Sequence, residues 1–272
     1  MKTIIIATDF SPAASNAAEY GAEMASAIGA NLLLVHVYQL PISYLEVPVV
    51  INPKHYREEL ETEILQLKRR LTGRIPDHLT ITTEIKEGSF YPELKTICED
   101  VEPYAVVMGS QGTTAAERVL FGSHAVHTMK NLRWPVVTIP SDVRYKSIRK
   151  IGVACDLEQV RKTVPMDEIR QIVSDFGAEL HILNLGKQTT FKPGMTFESG
   201  VLAEELAALN PQFHFITGAD IDDLIIDFAG TNGLDMLMVI PKRHNLVEKL
   251  LNRSLTKKMV LHSQIPVMAL HQ

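Results

Sequence analysis

The run Thr3-Ile4-Ile5-Ile6-Ala7-Thr8-Asp9 decides the fold of this chain, because it is apolar almost throughout and ends in two polar residues. A strand with one solvated face alternates apolar and polar residues, whereas a continuous apolar run is typical of a strand covered on both faces. Ser11 can cap a following helix, and Pro12 suits its first turn because it has no amide hydrogen. Strand followed by helix in this way predicts an α/β domain with a parallel sheet.

The same alternation continues through the first half of the chain. The predicted strands are residues 2–8, 31–38, 79–86, 104–109 and 136–139, and the predicted helices are residues 11–28, 53–71, 91–99 and 123–132. Gly29, just past the first helix, can adopt the left-handed conformation that often ends a helix.

The second half repeats the first. The stretch Lys150-Ile151-Gly152-Val153-Ala154-Cys155-Asp156 matches the first strand and its aspartate, and residues 176–183 match residues 28–35. This duplication predicts two tandem doubly wound α/β sandwiches, each with a five-stranded parallel sheet, over residues 1–141 and 147–272. The polar segment between them is short, so we expect the two domains to pack together.

Composition excludes several classes of protein. The formal net charge is -5 with lysine and arginine scattered, which argues against nucleic acid as a partner. Apolar runs are strand-sized and fall short of the roughly 18 residues that a membrane span needs, and the N-terminus lacks the pattern of a signal peptide. Two cysteines, Cys98 and Cys155, lie in different halves, which predicts a reducing compartment and hence the cytoplasm.

A glycine-containing segment is the strongest functional signal. Met108-Gly109-Ser110-Gln111-Gly112 follows a predicted strand, and Gly122-Ser123-His124 opens the next predicted helix. Glycines let backbone amides approach an anion, and a helix N-terminus adds its positive dipole end. A tight turn explains any one glycine as well, but three with this spacing between strand and helix favour a polyphosphate site.

Asp9, Val37 and Gly109 end predicted strands on the same side of the sheet, where open α/β sheets bind ligands. Asp9 is suited to hold ribose hydroxyls or a magnesium-coordinated group. The segments Ala7-Thr8-Asp9-Phe10-Ser11 and Val35-His36-Val37, with the glycines, resemble the universal stress protein family, more weakly in the second half.

That resemblance implies an adenine nucleotide α-hydrolase-like domain that binds ATP, expected with Mg²⁺. Asp9 and Val37 would lie near adenine and ribose, with the glycines and Ser123 around the phosphates. The expected nucleotide-binding residues are Thr8, Asp9, Val37, Met108, Gly109, Ser110, Gly112, Gly122, Ser123 and His124. The resemblance also implies that residues 136–139 pair with residues 267–270 in an intramolecular pseudo-dimer, and it leaves a homodimer open.

The second copy of the site looks degenerate. Alignment on Pro135 and Pro266, with one residue fewer in the loop, places Pro241, His244 and Arg253 at the glycine positions, and Ser254 at that of Ser123. Proline removes an amide donor and side chains fill the space of the phosphates, so we predict no ATP there. Asp156 is retained, but an aspartate there can simply accept from nearby backbone amides. The remaining basic side chains leave a different anion open, although a solvated loop is the simpler interpretation.

Three functions compete. The first is an ATP-binding stress-response or regulatory nucleotide sensor with slow or no hydrolysis, since the chain has no Walker lysine and no nucleophile elbow. The second is a weak ATPase in which Asp9 positions magnesium or water and Ser123 or His124 contacts the terminal phosphate. The third is a scaffold that binds a protein or an apolar ligand through residues 44–51, an apolar segment for which packing over the adenine is the alternative. No catalytic residue and no metal site is assigned.

Two groups of side chains contain residue types that bind metal ions, but each group has a simpler structural explanation. His124 and His127 are one helical turn apart, and the second half holds His181, His214, His244, His262 and His271. Ordinary buried or exposed histidines are the better explanation, because no carboxylate or cysteine completes a ligand set. The acidic residues near Asp220 and Asp222 are expected to cap a helix.

Overall fold

Strands and helices alternate in the first half as the apolar runs predict. The computed structural model describes residues 1–40, 52–110, 124–185, 193–218, 220–241 and 263–271. Its first-half strands are β1 (Thr3–Ala7), β2 (Asn31–Tyr38), β3 (Ile81–Glu87), β4 (Ala105–Gly109) and β5 (Val136–Ile139). The helices are α1 (Pro12–Ile28), α2 (Pro53–Thr72), α3 (Phe90–Val101) and α4 (residues 124–131).

Both predicted ends of α1 are confirmed. The Ser11 hydroxyl accepts a hydrogen bond from the Ala14 amide at 3.1 Å. Gly29 follows the helix with φ 65°, a left-handed conformation that glycine adopts without a steric penalty.

The second half follows the same order with one interruption. It contains the strands β6 (Lys150–Cys155), β7 (Glu179–Leu185), β8 (Gln212–Ile216), β9 (Met236–Val239) and β10 (Val267–Ala269). Its helices are α5 (Val160–Thr163), α6 (Met166–Phe176), α7 (Pro193–Glu205) and α8 (Ile221–Thr231). A single helix joins β1 to β2, but two join β6 to β7, because Pro165 disfavours helical backbone at Val164.

All ten strands form one sheet in the order β3-β2-β1-β4-β5-β10-β9-β6-β7-β8. Every neighbouring pair is parallel except β5 and β10, which run antiparallel with Val137 opposite Met268. The predicted pairing of the two closing strands is therefore confirmed. Within each half the strand order reverses beside the first strand, between β1 and β4 and again between β6 and β9.

The two halves share their hydrophobic core. One layer of buried side chains runs from Ile4 and Ile6 of β1 to Met236 and Met268 in the second half. The layer on the other face of the sheet joins Ile5 and Met129 to Leu237 in the same way. Continuous burial across the seam explains why the halves pack as a pseudo-dimer.

Polar contacts also tie the halves together. The buried side chain of Asn16 on α1 donates to the carbonyl oxygens of Pro140 and Val143 at 3.0 and 2.9 Å, which fixes the segment between the halves. Lys2 lies 2.5 Å from the Asp175 carboxylate of α6. The predicted domain limits at residues 141 and 147 stay a proposal.

Strand register corrects the alignment of the two copies. The Val106 amide bonds to the Pro135 carbonyl at 2.8 Å, and the Leu237 amide bonds to the Pro266 carbonyl at 3.0 Å. Val106 and Leu237 are therefore equivalent, so Ile240 stands at the position of Gly109. Pro241 falls one residue later, at the position of Ser110. The expected one-residue deletion in the loop is wrong, because the strands keep the same register up to this point.

Candidate functional site

A cleft opens at the carboxyl ends of β1, β2 and β4, beside the point where the strand order of the first half reverses. Its volume, including the space open to solvent, is about 590 Å³, within the range of small-molecule sites. It is lined by Ala7, Thr8, Asp9, Ser11, Ala14, Val37, Phe90, Met108, Gly109 and His124.

Side chains fix the turn between β1 and α1. The Asp9 Oδ1 atom accepts from the Ser11 amide, and the Thr8 hydroxyl accepts from the Phe10 amide, both at 3.0 Å. Phe10 has φ 64°, an uncommon conformation for a bulky residue. These hydrogen bonds hold Thr8 and Asp9 in the wall of the cleft and start α1 directly behind them.

His36 supports this turn from the opposite face of the sheet. Its side chain is buried, its Nδ1 atom lies 2.8 Å from the Thr8 carbonyl oxygen, and its ring centre is 4.5 Å from that of Phe10. A carbonyl only accepts, so Nδ1 carries the hydrogen. Burial lowers the pKa of His36, opposed by the Thr8 hydrogen bond and by Asp9, so the ring is neutral near pH 7. His36 was not predicted as a site residue, although a polar residue within an apolar strand was the available signal.

Gly109 closes the floor of the cleft by close packing. A methyl group on this residue would lie 3.3 Å from the backbone carbon and oxygen of Ala13 in α1. That distance is shorter than an ordinary contact, so the absence of a side chain lets α1 approach β4. Ser110 is buried, and its amide donates to the Ile139 carbonyl oxygen at 3.0 Å, which ties this residue to the end of β5.

His124 and Phe90 form the outer wall. His124 is exposed at the rim, and its ring centre lies 5.0 Å from that of Phe90 in an edge-to-face arrangement. Partial burial and then His127 lower the pKa of His124, whereas Asp9 raises it. The pKa of His124 is therefore lower than the usual value for histidine.

The predicted residues therefore have three outcomes. The structure brings Thr8, Asp9, Val37, Met108, Gly109 and His124 together around the cleft, and it places Ser110 just beyond β4, where its amide bonds to the end of β5. Gly112, Gly122 and Ser123 lie outside the described residues, so the glycine cradle stays a prediction. Four further residues line the cleft and were not predicted to do so: Ala7, Ser11, Ala14 and Phe90.

The second half keeps the turn but changes its surroundings. Asp156 Oδ1 accepts from the Glu158 amide at 3.3 Å, and Leu157 has φ 50°, as Phe10 has in the first half. Asp156 thus satisfies a backbone amide, as expected. Ile240 replaces Gly109 and packs against the core. His244, Arg253 and Ser254 lie outside the described residues.

The described residues contain no group of three or more side chains placed to hold a metal ion. His181 and His214 instead contact each other at 3.0 Å, and His271 Nε2 lies 2.8 Å from the Met129 carbonyl oxygen. Asp220 occupies the N-cap position of α8, but its side chain makes no capping hydrogen bond, so the expected cap is correct only in position. Within the described ranges, no helix has the length and apolar character to cross a bilayer.

Comparison with known proteins agrees with this architecture. The model of the universal stress protein family matches residues 1–140. A universal stress protein of Methanocaldococcus jannaschii is 29% identical over 144 residues, covering 51% of this chain and 81% of that protein.

Two crystal structures resemble the whole chain. A universal stress protein from Archaeoglobus fulgidus has a TM-score of 0.75 at 16% identity, covering 99% of this chain and 98% of that one. A functionally unknown protein from Pseudomonas aeruginosa has a TM-score of 0.60 at 12% identity, covering 100% and 92%. These similarities show the fold, and because the family model spans just over half of the 272 residues, the chain belongs to the universal stress protein family.

Proposed function

We propose that the first half binds ATP in the cleft and that the protein acts as a nucleotide-responsive regulator in a stress response. The observation that carries this proposal is the cleft itself, which combines an apolar wall and a polar turn at the switch point of a doubly wound sheet. Family membership supports an adenine nucleotide as the occupant.

The lining divides into two parts with different chemistry. Ala7, Val37, Met108 and Phe90 offer apolar surface against which a purine ring can pack. Thr8 and Asp9 offer oxygen atoms at the end of β1, where a carboxylate can accept from ribose hydroxyls. We place the phosphates toward the start of α4, with Gly112, Gly122 and Ser123 as proposed contacts, and Mg²⁺ accompanying the phosphates rather than assigned to a side chain.

Binding is tested by calorimetric titration of the intact protein with ATP and Mg²⁺. We expect one site per chain, lost when Gly122→Arg introduces the side chain of the second copy. Gly73→Arg is the matched control, because Gly73 is exposed beyond α2 and has open space around it. Intact protein that does not bind ATP would overturn the proposal and favour a scaffold; the segment 44–51, on which that alternative rests, lies outside the described residues.

We propose slow or no hydrolysis. Among the described lining residues the ionisable side chains are Asp9 and His124, and Asp9 Oδ1 already accepts from a backbone amide. Sustained phosphate release that disappears in Asp9→Ala would establish the weak ATPase instead. The cytoplasm remains the proposed location, supported by the buried Cys98 and Cys155, which form no disulfide.

A further inference from the structure

We propose that β8, an outermost strand of the sheet, pairs with β8 of a second copy of this chain to form a symmetric dimer. The sheet then continues from one copy into the other. This inference is independent of the nucleotide site, because the cleft lies at the ends of β1, β2 and β4 in the first half. It concerns the outer edge of the second half.

The unpaired side of β8 is the first observation. The sheet has two outermost strands, β3 and β8. One side of β8 pairs with β7, and along its other side the described part of the chain places no further strand. The outer side of such a strand presents backbone amides and carbonyls, which are a template for pairing with another strand.

The two outermost strands differ in charge. β3 carries Glu84, Lys86 and Glu87, and the Lys86 ammonium lies 3.1 Å from the Glu84 carboxylate. Charged side chains, lysine above all, protect an edge strand against pairing. The run Gln212-Phe213-His214-Phe215-Ile216 of β8 contains no acidic residue, lysine, arginine or proline. One edge of the sheet is therefore protected and the other is open.

The open edge also exposes an aromatic side chain. Phe215 is 58% exposed, and it shares a face of the sheet with Phe213, which packs against the core from its border. Helix α2 packs across β3 in the first half, whereas α7 of the second half packs against α5. An aromatic side chain buries a large apolar area when a partner covers it. Phe215 therefore gives this edge an apolar contact surface.

The backbone groups of Phe213 and Phe215 point outward. In the first half, the Leu32 amide donates to the Thr80 carbonyl oxygen, so Thr80 directs its backbone groups toward β2. Successive residues of a strand alternate, so Ile81, whose side chain lies in a core layer, directs its own away from β2. β8 takes the place of β3 in the repeated fold, and Phe213 packs against the same layer. Phe213 and Phe215 therefore present free amides and carbonyls at the outer edge.

These groups complement their own copy. In an antiparallel pair centred on His214, Phe213 of one copy lies opposite Phe215 of the other, and each outward amide meets a carbonyl oxygen of the second copy. Residues directly opposite each other have side chains on the same face. The phenylalanines of both copies thus come together and cover the exposed ring of Phe215.

A second copy fits this edge better than an unrelated strand because the resulting assembly closes. Pairing of β8 with β8 uses the same surface on both chains, as a twofold axis requires. The edges left over are the two charged β3 strands, so the sheet stops at two chains instead of growing into a filament. The chain already contains an antiparallel pairing of this kind, between β5 and β10.

Light scattering after size exclusion of the intact chain tests the dimer at about 1–100 µM, where a micromolar dissociation constant is visible. We expect the mass of two chains. Phe215→Lys should give the mass of one chain, because it places a charge on the open edge, and its exposed position leaves the core intact. Phe215→Pro should do the same, since it removes an outward amide and keeps the bonds to β7. Thr83→Lys, on the protected edge strand, is the matched control and should stay dimeric.

A disulfide tests the register. In the proposed pair the two copies of residue 214 face each other with Cα atoms about 4.5 Å apart, close enough for a disulfide. His214→Cys should therefore form covalent dimers on mild oxidation, whereas Glu84→Cys, on the other edge strand, should not. The native Cys98 and Cys155 are buried and do not compete.

Three results would overturn the inference. Intact protein that stays monomeric over the whole concentration range would leave the edge to a strand of a different protein. A dimer that persists in Phe215→Pro would place the interface elsewhere. A dimer of His214→Cys that does not cross-link would exclude the pairing centred on this residue. ATP binding decides none of these, so the proposed function stands or falls separately.

Discussion

Gly109 serves packing at a position where the sequence suggests ligand binding. Gly109 belongs to the glycine pattern, yet the neighbouring backbone of Ala13 is sufficient reason for its missing side chain. At Phe10 the backbone conformation would suit glycine, yet the residue is bulky. Its φ of 64° is left-handed, a conformation that glycine adopts without a steric penalty. Its ring packs on His36, which offsets part of the backbone strain. The equivalent Leu157 shares the conformation, so the turn belongs to the repeated fold.

We expect Gly109→Ala to lower the free energy of unfolding by about 1–3 kcal/mol, as for overpacking of a close contact. The added methyl group meets backbone atoms of Ala13 at 3.3 Å, and backbone yields less easily than a side chain. Gly200→Ala is the control, because Gly200 lies in α7 with nothing within 4 Å. In a helix that change should stabilise by about 0.5–1 kcal/mol. Urea unfolding of both variants tests this, and equal effects would show that Gly109 has room.

At the scale of elements, β7 and β8 hold a histidine pair that has no counterpart in the first half. His181 Nδ1 and His214 Nε2 lie 3.0 Å apart with the rings stacked, so one ring donates and the other accepts. Burial is the main cause that lowers the pKa of both, and for His181 the neighbouring His214 and Lys150 add to it. The Glu179 amide donates to the Arg149 carbonyl oxygen, as the Asn31 amide does to the Lys2 carbonyl oxygen, so Glu179 and Asn31 are equivalent. Two residues later in each strand, the equivalent of His181 in β2 is therefore Leu33.

This pair should make stability depend on pH. A histidine whose pKa is lowered by folding stabilises the fold above its unfolded pKa, about 6.5, and this contribution is lost as pH falls through the folded pKa. We therefore expect the free energy of unfolding to fall below about pH 6.5. In His181→Leu the free energy of unfolding should fall less steeply with decreasing pH. Some pH dependence should remain, because the pKa of His36 is also lowered. Denaturant unfolding across this range tests the expectation, and an unchanged slope in His181→Leu would contradict it.

At the scale of the whole molecule, the pairing of β5 with β10 joins the two copies into one continuous sheet. The four residues of β5 are at most 1% exposed, and the sheet and both core layers continue through them. A half without its partner would present β5 as an apolar, unpaired edge, which invites pairing with another strand.

We expect a fragment of residues 1–141 to dimerise through β5 in solution. The β4–β5 hydrogen bonds from Val106 to Pro135 and from Ser110 to Ile139 leave the amide of Thr138 directed toward the outer edge, where β10 lies in the intact chain. Thr138→Pro removes that donor while keeping the bonds to β4, so the fragment carrying it should stay monomeric. Light scattering after size exclusion measures both. A monomeric unsubstituted fragment would show that the seam does not drive association.

The sequence by itself determined the α/β class, the duplication and the side of the sheet that carries the cleft. Continuous apolar strands, helices with capping residues, and polar residues at strand ends are local patterns, and β1 and α1 form almost where they predict. They also identified Asp9, Val37 and Gly109 as neighbours, because parallel strands bring their carboxyl ends together.

Only the tertiary structure decided which distant residues meet. Phe90 reaches the cleft from α3, and His36 supports the β1 turn through a hydrogen bond between strands. The pairing of β9 with β10 placed Ile240, and not Pro241, at the position of Gly109, because matching backbone hydrogen bonds show which residues of the two copies are equivalent. The contacts of one element with another depend on packing over long separations, which is why local patterns found the strand-end residues of the site and missed Phe90 and His36.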